Sequence, residues 1–150
     1  MDNLTFYSLL SLLQGGMWLL NDIENFLKDF GISHGRFSVL LSLKETKDHM
    51  ALPADIARSL GKSKPTITKM IGRMESDGLV VINTGKRDGR TREMALTEKG
   101  IKLLDRIVPE YNKRLSLMSR NVSDKDKRVL MNIVAKIDFM DESKKIRFPE

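Results

Sequence analysis

Ser63 to Leu96 reads S-K-P-T-I-T-K-M-I-G-R-M-E-S-D-G-L-V-V-I-N-T-G-K-R-D-G-R-T-R-E-M-A-L and joins two patterns of different period. In the first, Ile67, Met70, Ile71 and Met74 recur at i, i+3, i+4 and i+7, which stacks four apolar side chains on one face of a helix. Ser63 is a good N-cap, and Asp77-Gly78 ends the run. The opposite face carries Pro65, Thr66, Thr68, Lys69 and Arg73, with Ser63 and Lys64 at its entrance. In the second pattern, Leu79-Val80-Val81-Ile82 and Glu93-Met94-Ala95-Leu96 read as strands around a loop rich in Gly, Lys and Arg. Asp88-Gly89 is a hairpin turn signal, which puts Lys86, Arg87, Asp88 and Arg90 at a tip, with Arg92 just behind it. A helix followed by a basic hairpin is a candidate winged helix.

Charge turns this shape into a functional lead. Eight cations and three acids fall between Lys62 and Arg92, so this piece carries a net +5 of the chain's formal +6. A polyanion is the natural partner, because each phosphate neutralised by Lys or Arg releases condensed counterions. The competing reading is a basic surface that is merely solvated, and the adjoining hairpin argues against it.

The 150 residues fit one domain that can bury a core unaided. No cysteine is present, which removes disulfides, thiolate metal sites, iron–sulfur clusters and thiol nucleophiles. His34 and His49 are the only histidines and lie in different segments, so no metal site is expected. No nucleophile elbow, phosphate-binding loop or dinucleotide glycine pattern appears, so neither an enzyme nor a cofactor is expected. Asn3 to Asn21 is uncharged, yet Thr5, Ser8, Ser11, Gln14, Gly15 and Gly16 interrupt it and no basic n-region precedes it. It reads as a helix buried in protein rather than in lipid, and the expected location is the cytoplasm.

Outward from the basic segment, periodicity predicts a helix from about Leu4 to Phe30, loosened at Gly15-Gly16. A second follows from His34 to Thr46, apolar around most of its girth, and Lys47-Asp48-His49 reads as a loop. A short third helix from Pro53 to Leu60 turns through Gly61 into the basic helix, making a helix-turn-helix. Thr97 caps a long helix that Pro109 is expected to kink. A last helix after Ser123 carries Leu130, Ile133, Val134, Ile137 and Met140. The first helix is apolar on two faces, more than one small domain covers, which predicts a dimer interface.

With these residues in hand the chain resembles the MarR family of winged-helix transcriptional regulators. The resemblance rests on Asp55-Ile56-Ala57-Arg58-Ser59-Leu60-Gly61, Ser63 to Thr68, Arg73-Met74-Glu75-Ser76-Asp77-Gly78-Leu79-Val80, and Asp88-Gly89-Arg90 followed by Leu96-Thr97 and Gly100. It implies a mainly α fold with a small two- or three-stranded antiparallel wing. The winged helix-turn-helix lobe would span 33–96, flanked by dimerisation helices at 1–30 and 97–145 within one domain, 1–150. It implies a homodimer gripping a pseudo-palindromic operator on double-stranded DNA. Arg90 would enter the minor groove, oriented by Asp88, and Pro65, Thr66, Thr68 and Lys69 would face the major groove with Arg73 on phosphate. It also implies an effector pocket between the lobes, with Trp18, Arg36, Phe37 and Tyr111 as candidate lining and Arg36 as a partner for a carboxylate. Two departures stand out. Leu52-Pro53 opens the third helix without a hydroxyl cap, and Gly89 occupies a wing position that often carries charge. A winged helix used for protein docking rather than operator recognition is the alternative.

Overall fold

The computed structural model describes residues 2–84 and 92–137. In chain order it contains α1 (Asn3–Lys28), α2 (His34–Lys44), a 3-10 turn (Lys47–His49), β1 (Met50–Ala51), α3 (Pro53–Ser59), α4 (Lys64–Ser76), β2 (Val80–Thr84), β3 (Arg92–Leu96), α5 (Glu98–Met118) and α6 (Asp124–Lys136). The expected mainly α architecture with a small antiparallel sheet is what forms.

The core is built where the apolar stripes of the middle elements meet. Phe37, Val39, Leu40 and Leu43 of α2, Ile56 and Ala57 of α3, and Ile67, Ile71 and Met74 of α4 are buried with Val80, Met94, Leu104 and Ile107. From α1 only Ile23 and Leu27, on its last turns, join this cluster. No polar or charged residue is buried among the described residues.

Three sequence expectations are corrected in detail. α2 stops at Lys44 rather than Thr46, because the Thr46 hydroxyl turns back to donate to the Leu43 carbonyl at 2.7 Å. The Lys47-Asp48-His49 loop is a 3-10 turn with Asp48 and His49 both at positive φ, and it delivers β1, a strand too short to leave a periodic trace. α6 ends at Lys136 with Ile137 as its C-cap, so Ile137 does not extend its stripe, and Met140 lies outside the described residues. α1 runs unbroken through Gly15-Gly16, and α5 runs unbroken past Pro109.

Candidate nucleic-acid interface

α3 and α4 form the helix-turn-helix. Pro53 opens α3 in the first turn, where its missing N–H costs nothing, while Leu52 provides no side-chain cap. At the far end the Lys62 N–H donates to the Ala57 carbonyl at 2.9 Å, closing α3 and turning the chain into α4. The Ser63 hydroxyl accepts from the Thr66 N–H at 3.3 Å and lies 2.7 Å from the Thr66 hydroxyl. Burial of Ile67, Ile71 and Met74 fixes the rotation of α4 about its axis, so Lys64, Pro65, Thr66, Thr68, Lys69 and Arg73 all face solvent with Ser63. The expected outer face is therefore the observed one. The Thr68 hydroxyl spends its proton on the Lys64 carbonyl at 2.9 Å, so toward solvent it acts as an acceptor. No acid lies in the first turn of α4, whose free N–H groups and dipole favour an anion there.

β2 and β3 pair antiparallel from Val80↔Leu96 to Thr84↔Arg92, and β1 adds to the other edge of β3 through Met50↔Ala95 and Ala51↔Met94. Val80, Met94 and Ala95 hold this sheet to the core, and Arg92 is exposed at the open end of the pairing. Lys86, Arg87, Asp88 and Arg90, expected at the wing tip, lie outside the described residues.

The end of α4 is tied to α2 and α5. Gly78, at φ +69°, lets its N–H reach Glu75 O at 2.8 Å and the Leu79 N–H reach Met74 O at 2.9 Å, with Leu79 and Met74 both buried. Thr97, the cap of α5, donates its hydroxyl to Gly78 O at 2.7 Å and accepts from the Gly100 N–H at 3.1 Å. At Gly100 the approach is closest: a Cβ there would sit 2.3 Å from the Leu79 carbonyl oxygen. Asp77, the C-cap of α4, forms an ion pair with Arg36 of α2, and its carbonyl accepts from Lys99 Nζ at 2.7 Å.

The four residues expected to line an effector pocket have different surroundings. Trp18 is 72% exposed on α1, whereas Phe37 is buried and meets the Tyr111 ring edge-on at 5.1 Å. Burial pushes the Tyr111 phenol up from its usual pKa. Arg36 alone of the four lines the cavity of about 690 Å³ at the α1–α2 turn. The other walls of this cavity come from the end of α4 and the first turns of α5, through Asp77, Lys99, Lys102 and Arg106. The sequence reading missed these α5 cations, although their spacing of i, i+3 and i+7 was visible. Further along α5, Arg114 grips Asp22 of α1 with two bonds of 2.6 Å, and this holds the Asp22 carboxyl below the usual carboxylate range.

A recognition helix with an outward basic face, set beside an antiparallel ribbon, defines a winged-helix protein. The family model described as "Iron dependent repressor, N-terminal DNA binding domain" matches residues 37–87. The HTH-type transcriptional repressor YetL of Bacillus subtilis is 28% identical over 112 residues, 75% of this chain and 67% of that protein. AbsC, a MarR family transcriptional regulator from Streptomyces coelicolor, superposes with a TM-score of 0.85 at 21% identity, covering 89% of this chain and 91% of that one. Sco3205, a MarR family regulator from the same organism solved in complex with DNA, gives 0.84 at 17% identity, covering 89% and 84%. The chain therefore shares the winged-helix fold of these MarR family regulators, the family its motifs resemble. That family model describes the DNA-binding part of an iron-dependent repressor; among the described residues no group of three or more His, Asp or Glu side chains is placed to hold a metal ion.

Proposed function

We propose that this protein is a sequence-specific DNA-binding transcriptional regulator, a repressor, that acts as a homodimer on a pseudo-palindromic operator. The observation that carries the reading is the outer face of α4. Its hydroxyls and cations are all exposed, its first turn lacks acid, and its buried stripe prevents it from rotating away. The repressor name of the sequence relative and the DNA complex of the structural neighbour support it. Thr66, Thr68 and Lys69 read base edges, Arg73 and Lys64 meet phosphate, and Lys86, Arg87, Asp88, Arg90 and Arg92 serve the wing. The reading assigns no catalytic role to any residue and places the protein in the cytoplasm with its DNA. Among the described residues, no helix is long and apolar enough to cross a membrane.

The dimer is supported by apolar surface that one chain leaves bare. Leu4, Tyr7, Leu13, Met17 and Trp18 on α1 are exposed, as are Leu117, Val129, Leu130 and Ile133 on α5 and α6. Such a surface in water calls for a partner, and symmetry supplies a second copy. The segments 1–30 and 97–145 then form the interface, and the lobe at 33–96 is repeated about 34 Å away, one turn of duplex. The charged cavity beside Arg36 is where a small effector would act on this lobe.

Selection of binding duplexes from a random pool, followed by fluorescence anisotropy over a salt series, tests the reading. Lys69→Ala is expected to weaken binding about tenfold and to flatten the salt slope by about one. A selected pool without inverted repeats, or an affinity indifferent to salt, would refute it.

A further inference from the structure

Gly72 stands inside α4, on its exposed side. A glycine weakens a helix interior, and packing does not explain this one, because a Cβ there would meet nothing within 4 Å. The bare backbone instead lines an open hollow of about 430 Å³, together with Arg36 of α2 and with Lys69, Arg73, Ser76 and Asp77. Three cations face one carboxylate in it. Lys69 and Arg73 form no ion pair with any described residue. Arg36 gives a terminal nitrogen to Asp77, and its Nε has no acceptor among the described residues. A guanidinium keeps its charge and carries five N–H donors in a fork that matches a phosphate, so Arg36 retains donors beyond the one Asp77 occupies.

Lys69, Gly72, Arg73 and Ser76 recur at i, i+3, i+4 and i+7, so the hollow continues the outward stripe that begins at Pro65. Arg73 lies two turns beyond Thr66, about 10 Å along the helix axis. A recognition helix puts its first turns on base edges, and the major groove is about 8.5 Å deep, so that distance leads from the groove floor to its phosphate rim.

We propose that this hollow seats one backbone phosphate of the duplex between Arg73 and Arg36, and that Gly72 is bare so that the phosphate can approach the backbone of α4. Arg36 is then a DNA contact from α2, outside both the helix-turn-helix and the wing. The inference rests on the DNA-binding reading above and adds a point of register to it: base contacts choose the sequence, and the seat fixes where α4 stops along the groove. Asp77 holds the Arg36 guanidinium at the edge of the hollow before DNA arrives. Its carboxylate is 52% exposed, so it stays hydrated when a phosphate takes a share of that guanidinium.

Fluorescence anisotropy of the full chain with a selected duplex, over a salt series, tests the seat with two variants. Arg36→Gln is expected to lose about tenfold in affinity and to flatten the salt slope by about one, while selecting the same sequences as the wild type. Gly72→Leu fills the hollow with a better helix former, so its thermal midpoint is expected to hold or rise while duplex affinity falls about tenfold or more. A set of duplexes, each with one phosphate replaced by a neutral methylphosphonate, then locates the contact. At one position per half-site the replacement is expected to cost the wild type about tenfold and the Arg36→Gln protein nothing further. A wild-type salt slope in Arg36→Gln, or full affinity in Gly72→Leu, would overturn the seat. Losses from Arg36→Gln that add in full at every methylphosphonate would overturn the direct contact. If Lys69→Ala weakens binding and Arg36→Gln does not, the seat alone fails. If the wild type binds no duplex, the DNA-binding reading fails and takes the seat with it.

Discussion

The winged-helix lobe and the terminal helices use apolar residues in opposite ways. In the lobe, Phe37, Leu40, Ile67, Met74 and Met94 are sealed from water by one another. On α1, Leu4, Tyr7, Leu13 and Met17 have the same helical spacing and the same chemistry, yet lie open, and α6 has no buried residue at all. Periodicity is equally good in both regions, so it reports that a face will be covered and not by what. The lobe buries its apolar residues within one chain, whereas the ends leave theirs for the interface proposed above.

The sharpest way to break this contrast is to charge the ends. Met17→Glu combined with Leu130→Glu is expected to yield a folded monomer by analytical ultracentrifugation. Its duplex affinity should fall by about two orders of magnitude or more, since the gain from a second linked half-site is lost. A dimer that survives both changes would remove the interface from α1 and α6. Next in size is the lobe: Met74→Ala empties a fully buried site and is expected to cost about 2–5 kcal/mol in urea unfolding. Gly100→Ala follows at about 1–3 kcal/mol, because its Cβ forces α5 off the Leu79 carbonyl. The smallest effect is at the seam between the regions, where Arg114 holds Asp22. Because the folded-state pKa of Asp22 lies below its unfolded value, this contribution is present above the ordinary Asp pKa of about 4 and fades as pH falls through the folded value. Thermal midpoints from pH 7 to pH 2 are expected to show a shallower acid loss in Arg114→Gln than in the wild type. Both side chains are more than a third exposed, so solvent screening keeps the difference small.

Much of this was legible in the chain. The four-residue stripe of α4 fixed which face looks outward, and Ser63 and Gly78 marked its ends where the helix is in fact capped. Thr97 was read as a cap from the same chemistry, and it accepts the Gly100 N–H, as Ser33 and Ser123 accept N–H groups at the starts of α2 and α6. β1 was not legible, because two residues carry no period and its pairing with β3 is set 43 or more positions away. The cavity was half legible. Arg36 was singled out, and the α5 cations share a face by spacing, but the Arg36–Asp77 pair spans 41 positions and only tertiary packing joins them. Trp18 and Tyr111 looked alike as aromatics at helical spacing, and one proved exposed while the other is packed on Phe37. Burial beyond the local stripe depends on neighbours that a single sequence does not name.

The missing side chain at position 100 also has a mechanical meaning. With nothing between the axis of α5 and the carbonyl at the root of the ribbon, and with Thr97 stitched to Gly78, no slack remains at that joint. A tilt of the long helix would therefore press directly on the backbone at the root of the ribbon. A single methyl group at this joint would wedge the two elements apart.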